Sequence, residues 1–230
     1  MITLLNHDVT PTDPAIAPVN TAEDALLELY SLSCMRGTRR LFVNINAVVR
    51  SGQLLRVQGA NGAGKTTLLR VLCGLSLPDV GEVRWCGKRL HADRDGFHRE
   101  LIYLGHAAAL KDDLSACENL LAASVLGGQR HTTAQVISAL AAAGLHRREH
   151  LPARSLSQGQ RRRVGLARLL LGAATKLWVL DEPFNALDAA ATQWLSGLLT
   201  RQLRSGGIVV LTSHQPVAID ASLSQVCLTL

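Results

Sequence analysis

The residues GANGAGKTT at 59–67 limit the possible fold more than any other feature of this 230-residue chain. Gly59, Gly62, Gly64, Lys65 and Thr66 satisfy G-x-x-x-x-G-K-[ST], with the small residues Asn61 and Ala63 between them. Glycines at these positions let backbone N–H groups fold around a triphosphate without Cβ clashes. Lys65 would reach the β- and γ-phosphates, Thr66 would offer its hydroxyl to Mg²⁺, and a helix starting near Gly64 would aim its positive N-terminal end at the anion. Such a loop needs a strand before it and a helix after it. Both are present, LLRVQ at 54–58 as the strand and 66–72 as the helix.

A chain of this length holds one good core, or one core with a subdomain, and no second complete nucleotide-binding unit. Aromatics are 3% of residues against an apolar fraction of 47%. The core must therefore be Leu, Val and Ala packed between helices and a sheet, which suits an α/β protein. No run approaches the roughly 18 apolar residues of a membrane-spanning helix. The first 35 residues carry no Lys or Arg, and with Pro11, Pro14 and Pro18 the segment 1–25 reads as a flexible tail rather than a targeting signal. Cysteines at 34, 73, 86, 117 and 227 are odd in number and lack C-x-x-C spacing, which disfavours a disulfide scaffold and a zinc site. The net charge of +6 gathers around 147–168, where Arg147, Arg148, Arg154, Arg161, Arg162, Arg163 and Arg168 crowd together. That cluster fits nucleic acid, an anionic membrane surface or plain solvation, and charge alone does not choose among them.

Alternating runs from 26 to 57, with turns at Arg36-Gly37 and Ser51-Gly52, predict strands. GEVRWCGKRL at 81–90, with a turn at Cys86-Gly87, has the same character, and together these segments predict an antiparallel β flap. Between 101 and 163 the pattern becomes helical, at 114–126 and again at 133–143, where a threonine caps the start and Gly144 follows, although Leu101–Leu104 at its edge reads as a strand that would deliver His106 to the phosphate site. LWVL at 177–180 and IVVL at 208–211, each beside a helix, keep the rhythm of a parallel sheet.

LWVL runs directly into Asp181-Glu182-Pro183. Ligands of open α/β sheets sit at the C-terminal ends of strands, and two carboxylates there can divide the work. Asp181 would hold the Mg²⁺ hydration shell. Glu182 would polarise the attacking water as general base.

Five segments in order, GANGAGKTT, LSQGQ at 156–160, LWVLDEP, NALD at 185–188 and LTSHQ at 211–215, resemble the ATPase subunit of ABC transporters over 26–230. The resemblance implies the ABC ATPase fold. This is a P-loop NTPase (RecA-like) α/β core with a mostly parallel sheet, an antiparallel β flap and an inserted helical subdomain. The core would comprise 26–100 and 164–230, and the subdomain 101–163 with the signature LSQGQ. In that family Thr67 would contact the α-phosphate. His214 would be the switch histidine, bridging the γ-phosphate and the region of Asp188 in a second subunit. Ser157 and the Gly159 backbone would close over the γ-phosphate held by that second subunit in a head-to-tail homodimer with ATP bound.

Two positions depart from the family. Arg36 stands where an aromatic usually underlies adenine; its guanidinium plane can stack on a base but weakens the case for adenine selectivity. His106, in YLGHAAAL, stands where a glutamine usually senses Mg²⁺ and couples to the membrane partner. With GEVRWCGKRLH at 81–91, KDDLSACENL at 111–120, SHQPV at 213–217 and the Cys34-x-Arg36 pair, these departures resemble the CcmA-type branch of cytochrome c maturation. That resemblance implies a peripheral ATPase on the cytoplasmic face of the bacterial inner membrane, working with the permeases CcmB and CcmC. ATP hydrolysis would drive haem export or release of the haem-loaded chaperone CcmE. The rival reading is the ATP-binding subunit of an unrelated small exporter. A nucleic-acid ABC ATPase would need a coiled-coil insertion or tandem units, so no nucleic-acid partner is expected. Without Cys-Pro or C-x-x-C-H elements, no intrinsic haem site is expected either.

Overall fold

The computed structural model describes residues 25–172, 175–213 and 216–230. Residues 1–24 of the expected tail, and His214, lie outside the described residues. Ala25, assigned to that tail, is buried, and its carbonyl accepts from the Ser51 N–H at 2.8 Å, so the ordered domain starts there.

Two sheets lie one on the other. The flap is antiparallel, in the order β2-β1-β4-β5, from β1 (Leu26–Arg36), β2 (Arg39–Arg50), β4 (Val80–Trp85) and β5 (Lys88–Arg89). The second sheet is parallel throughout, in the order β6-β7-β8-β3-β9, from β3 (Leu54–Gln58), β6 (Leu101–Leu104), β7 (Leu177–Leu180), β8 (Ile208–Thr212) and β9 (Gln225–Thr229). Period-2 alternation divides its side chains between two cores. Leu55, Val57, Val179 and Val210 pack with Leu68, Leu69 and Leu72 of α1 (Lys65–Leu72) under the flap. Leu54, Trp178, Leu180, Val209 and Leu211 face α5 (Gln158–Leu171) and α6 (Ala189–Arg204) on the other side. Each layer stabilises the fold by roughly 25 cal/mol per Å² of apolar surface it removes from water.

A third core joins α3 (Ala116–Leu126), α4 (Thr133–Ala142) and α5 through Leu120, Val136, Leu140, Leu145 and Val164. Each of these helices starts with a reciprocal capping box, Ser115 with Glu118, Thr132 with Gln135 and Ser157 with Gln160. The helical boundary expected at 101 is corrected: Leu101–Leu104 pairs in parallel with β7 and belongs to the sheet. The boundary expected at 163 also moves, because α5 runs unbroken across it. Strand β9 and the short α2 (Arg94–Arg99) were not anticipated. The first is a mixed exposed strip without clean alternation, and the second is only six residues long. All five cysteines are free. Cys34, Cys73 and Cys117 are buried, and Cys86 and Cys227 are exposed.

Candidate active site

Strand β3 ends at Gln58, and the chain turns through Gly59, Gly62 and Gly64, all at positive φ (150°, 78° and 102°), before α1 begins. Positive φ is accessible to glycine at little cost. Close approach demands it as well: a Cβ on Gly64 would lie 2.9 Å from the Leu41 Cβ. Within the loop, the buried Lys65 Nζ donates to the carbonyls of Gly59 at 2.8 Å and Ala60 at 3.2 Å. An ammonium has three donors, so one N–H has no partner among the described residues. Asn61 and Gly62 are exposed, while Ala63 and Thr67 are half-buried.

Asp181 leaves β7 only 2% exposed, with both carboxylate oxygens occupied. Thr66 Oγ1 donates to Oδ2 at 2.7 Å and Thr212 Oγ1 to Oδ1 at 2.7 Å. A metal-binding role for this pair fits the donor chemistry. Hydroxyl and carboxylate oxygens are hard donors, and Mg²⁺ takes few protein ligands beside substrate phosphates. Among the described residues no group of three His, Cys, Asp or Glu converges as a softer-metal site would require.

Glu182 follows in a left-handed backbone conformation, φ 48°. Strain of this kind costs about 1–3 kcal/mol and persists only where surroundings over-determine it. Here the Glu182 N–H donates to Thr212 Oγ1 at 2.7 Å, and the Glu182 carbonyl accepts from the Asn185 N–H at 3.2 Å and from Arg162 Nη2 at 2.9 Å. Asn185 Nδ2 donates to the Glu182 carboxylate, and His106 Nδ1 lies 3.8 Å from the same Oε2. β6 thus delivers His106 to the edge of the phosphate site, as its strand reading implied.

The signature is built outward. Ser157 caps α5, its Oγ accepting from the Gln160 N–H at 3.3 Å and its own N–H donating to Gln160 Oε1 at 3.0 Å. Gly159 is required by its own chain, because a Cβ there would stand 2.6 Å from the Ala186 carbonyl oxygen. Asp188 caps α6 through the Ala191 N–H at 2.8 Å and pairs with Arg163. No hydrogen bond joins Ser157 or Gly159 to the phosphate loop among the described residues. Arg36 is exposed at the flap hairpin, opposite Arg39. It is Arg39 that the fold carries to the loop, its guanidinium nitrogens 3.8 Å from where a Gly62 Cβ would be.

Four contributors escaped the sequence reading: Thr212, Asn185, Arg39 and Arg162. Thr212 had a signal, since it ends a strand two residues before the flagged histidine. Asn185 also had one, inside NALD. The two arginines had none beyond charge.

A nucleotide cradle and an acidic strand end on one parallel sheet, with a capped signature helix turned outward, define an ABC-type ATPase cassette. The ABC transporter family model matches residues 42–185, and the chain belongs to that family. Among curated relatives it is 51% identical over 200 residues to the cytochrome c biogenesis ATP-binding export protein CcmA of Aromatoleum aromaticum, covering 86% of this chain and 94% of the relative. It is 50% identical over 197 residues to the protein of the same name from Pseudomonas aeruginosa, covering 86% and 97%. Among solved structures, an ABC transporter ATP-binding protein from Pyrococcus furiosus matches with a TM-score of 0.74 at 24% identity, covering 88% of this chain and 97% of that one. A cassette solved as a post-hydrolysis dimer with ADP and phosphate matches at 0.73 and 22% identity, covering 82% and 88%. These two likenesses concern the fold.

Proposed function

We propose that this chain is the ATP-hydrolysing subunit of a bacterial cytochrome c biogenesis exporter, acting as a head-to-tail pair beneath a membrane partner. The observation that carries the reading is the division of the site. Lys65, Thr66, Asp181 and Glu182 belong to one chain's loop and strand end, whereas Ser157, exposed at the start of α5, and Gly159 make no hydrogen bond to that loop among the described residues. A second chain turned head to tail would bring its Ser157 hydroxyl and Gly159 N–H to the γ-phosphate.

The backbone N–H groups from Gly59 to Gly64 would cradle the triphosphate, with Lys65 on the β- and γ-phosphates and Thr67 on the α-phosphate. Thr66 and Asp181 would hold Mg²⁺, which when bound neutralises charge on the β- and γ-oxygens. Water would attack the γ-phosphorus as Glu182 takes its proton and the bond to the β–γ bridging oxygen breaks, leaving ADP and phosphate. The His106 ring, close to the Glu182 carboxylate, would help orient that water. His214 would meet the γ-phosphate and the other subunit's Asp188 region. Arg36 would stack on the base.

The finer reading names the permeases CcmB and CcmC, the cytoplasmic face of the inner membrane, and haem export or release of haem-loaded CcmE. It is supported by the two CcmA relatives, which the chain spans nearly end to end. Among the described residues no helix is long and apolar enough to cross a membrane, which agrees with a peripheral subunit. Tagged chain pulled from detergent-solubilised membranes should bring CcmB and CcmC with it. Recovery of an unrelated permease alone would replace this reading with that of another small exporter.

A further inference from the structure

Three consecutive arginines on α5 point three ways. Arg161 reaches the Ala153 carbonyl and the Asp112 carboxylate, and Arg163 pairs with Asp188. Arg162 alone turns inward. It is 7% exposed and forms no ion pair among the described residues. Its guanidinium spends its terminal nitrogens on backbone carbonyls. Nη1 donates to Gly105 at 2.8 Å and His106 at 3.1 Å, and Nη2 to Asp181 at 2.7 Å and Glu182 at 2.9 Å. Nε has no partner.

A buried cation without a carboxylate bonded to it is costly. Desolvation pushes the Arg162 guanidinium down from its ordinary range, and the nearby charges of Asp181 and Glu182 oppose that only in part. An apolar residue or a glutamine would anchor α5 to the sheet at lower cost. What neither can do is bind two separate loops through a rigid planar fork, which fixes the distance between its two terminal nitrogens. One nitrogen holds the loop after β6, and the other holds the turn after β7.

We propose that Arg162 is a positioning residue for hydrolysis. It holds the Gly105–His106 backbone and the strained Asp181–Glu182 turn at one separation, and so sets the aim of the Glu182 carboxylate and the placement of the His106 ring beside it. The proposal rests on Glu182 being the general base. Since misplacement of a reacting group by about 1 Å can cost about a hundredfold, the guanidinium matters to turnover more than to binding.

The test compares Arg162→Lys, which keeps the charge on one nitrogen, and Arg162→Gln, which offers a single amide nitrogen. Turnover, KM for ATP and Mg-ATP affinity are measured on the full chain, with Glu182→Gln and the double variant Arg162→Lys/Glu182→Gln alongside in single-turnover assays. Both Arg162 variants should lose about a hundredfold in kcat while Mg-ATP affinity and KM stay within about threefold. The double variant should turn over no more slowly than Glu182→Gln alone, because Arg162 acts through the group already removed. Loss of affinity in step with kcat, or near wild-type kcat in both variants, overturns the proposal. So does a double variant slower by the product of the two single losses. Should Arg162→Gln not fold, Arg162→Lys decides by the same criteria. Near wild-type turnover by Glu182→Gln would identify the base assignment, rather than the fork geometry, as the failed premise.

Discussion

Asp181 and Ser157 are both short oxygen-bearing side chains placed at the edge of a regular element, yet their surroundings are opposite. Asp181 is 2% exposed and has both oxygens bonded within its own chain, to Thr66 and Thr212. Ser157 is exposed, and among the described residues its hydroxyl accepts only the N–H of Gln160 in its own helix. Around Asp181 the fold spends its polar groups on one another, fixing Glu182 in a backbone conformation it would not choose alone. Around Ser157 the fold spends them on making a rigid helix end and leaves the outward face clear. Preorganised groups in a closed site raise the rate of a chemical step, whereas a rigid exposed helix N-terminus recognises an anion brought from elsewhere. On the reading proposed above, the contrast is that between a site where chemistry occurs and a surface that completes the site of another copy.

The strongest way to break this comparison is at Glu182. Glu182→Gln keeps the shape but cannot take a proton from water, so turnover should fall by about a hundred- to ten-thousand-fold. Binding of Mg-ATP should survive and an ATP-bound dimer accumulate, measurable by phosphate release and by sizing with ATP. Turnover near the wild-type rate would remove Glu182 from the role of base.

Next in size is Ser157→Arg. Its long side chain would fill the space a partner's γ-phosphate needs, and hydrolysis should drop by about a hundredfold or more, the scale of losing a preorganised anion donor. Mixed with Lys65→Ala chains it should recover part of the activity, since that heterodimer contains one site with both Lys65 and Ser157 intact. If no mixing ratio exceeds either variant alone, the head-to-tail arrangement is wrong.

The same contrast explains what could be read from the sequence. The phosphate loop, β3, β7 and β8 were legible because their cues are local: glycine spacing, apolar runs and a carboxylate at a strand end. Thr132 as cap and Gly144 as stop placed α4 within one residue of its observed bounds. Arg162 looked like a member of a charged run, because burial belongs to the tertiary packing of α5 and not to the spacing of RRR. Thr212 and Arg39 were likewise ordinary residues until β8 and β2 brought them to the site from 31 residues after Asp181 and 23 before Gly62. LIYL at 101–104 is legible as a strand, but four residues at the edge of a helical stretch do not show which sheet they join. Its partner β7 lies far downstream, so only the pairing shows where it belongs.

A smaller effect is expected at the base-binding end. Arg36 is exposed on the flap, and a guanidinium plane stacks on any base without reading its edge. ATP and GTP affinities should therefore differ by less than about tenfold, or about 1.4 kcal/mol. Competition binding that gives a hundredfold preference for ATP would reject that reading and require an edge-specific contact.

The finest comparison uses two capping boxes, one whose reciprocal partner titrates and one whose partner does not. Ser115 and Ser157 each cap a helix of the same bundle, but the reciprocal partner is Glu118 in one and Gln160 in the other. Ser115 Oγ and its N–H donate to Glu118 Oε2 at 2.7 and 2.8 Å. The Ser115 hydroxyl first, and its backbone N–H second, hold the Glu118 carboxyl below the usual carboxylate range. A depressed folded-state value means the contribution is complete above the unfolded value, about 4.3, and is lost as pH falls through that value and the folded one. Gln160 does not titrate. Ser115→Ala and Ser157→Ala should each cost about 1 kcal/mol near pH 7. That corresponds to about 2–4 °C in the unfolding midpoint for a chain of this size. Between pH 6 and about pH 3 the deficit of Ser115→Ala should shrink, because the wild type loses the ionised half of its box, while the deficit of Ser157→Ala stays constant. Turnover should separate them the other way: Ser115→Ala stays within about twofold of wild type, and Ser157→Ala falls further than its stability explains. Equal turnover losses at matched stability would make Ser157 a helix cap and nothing more.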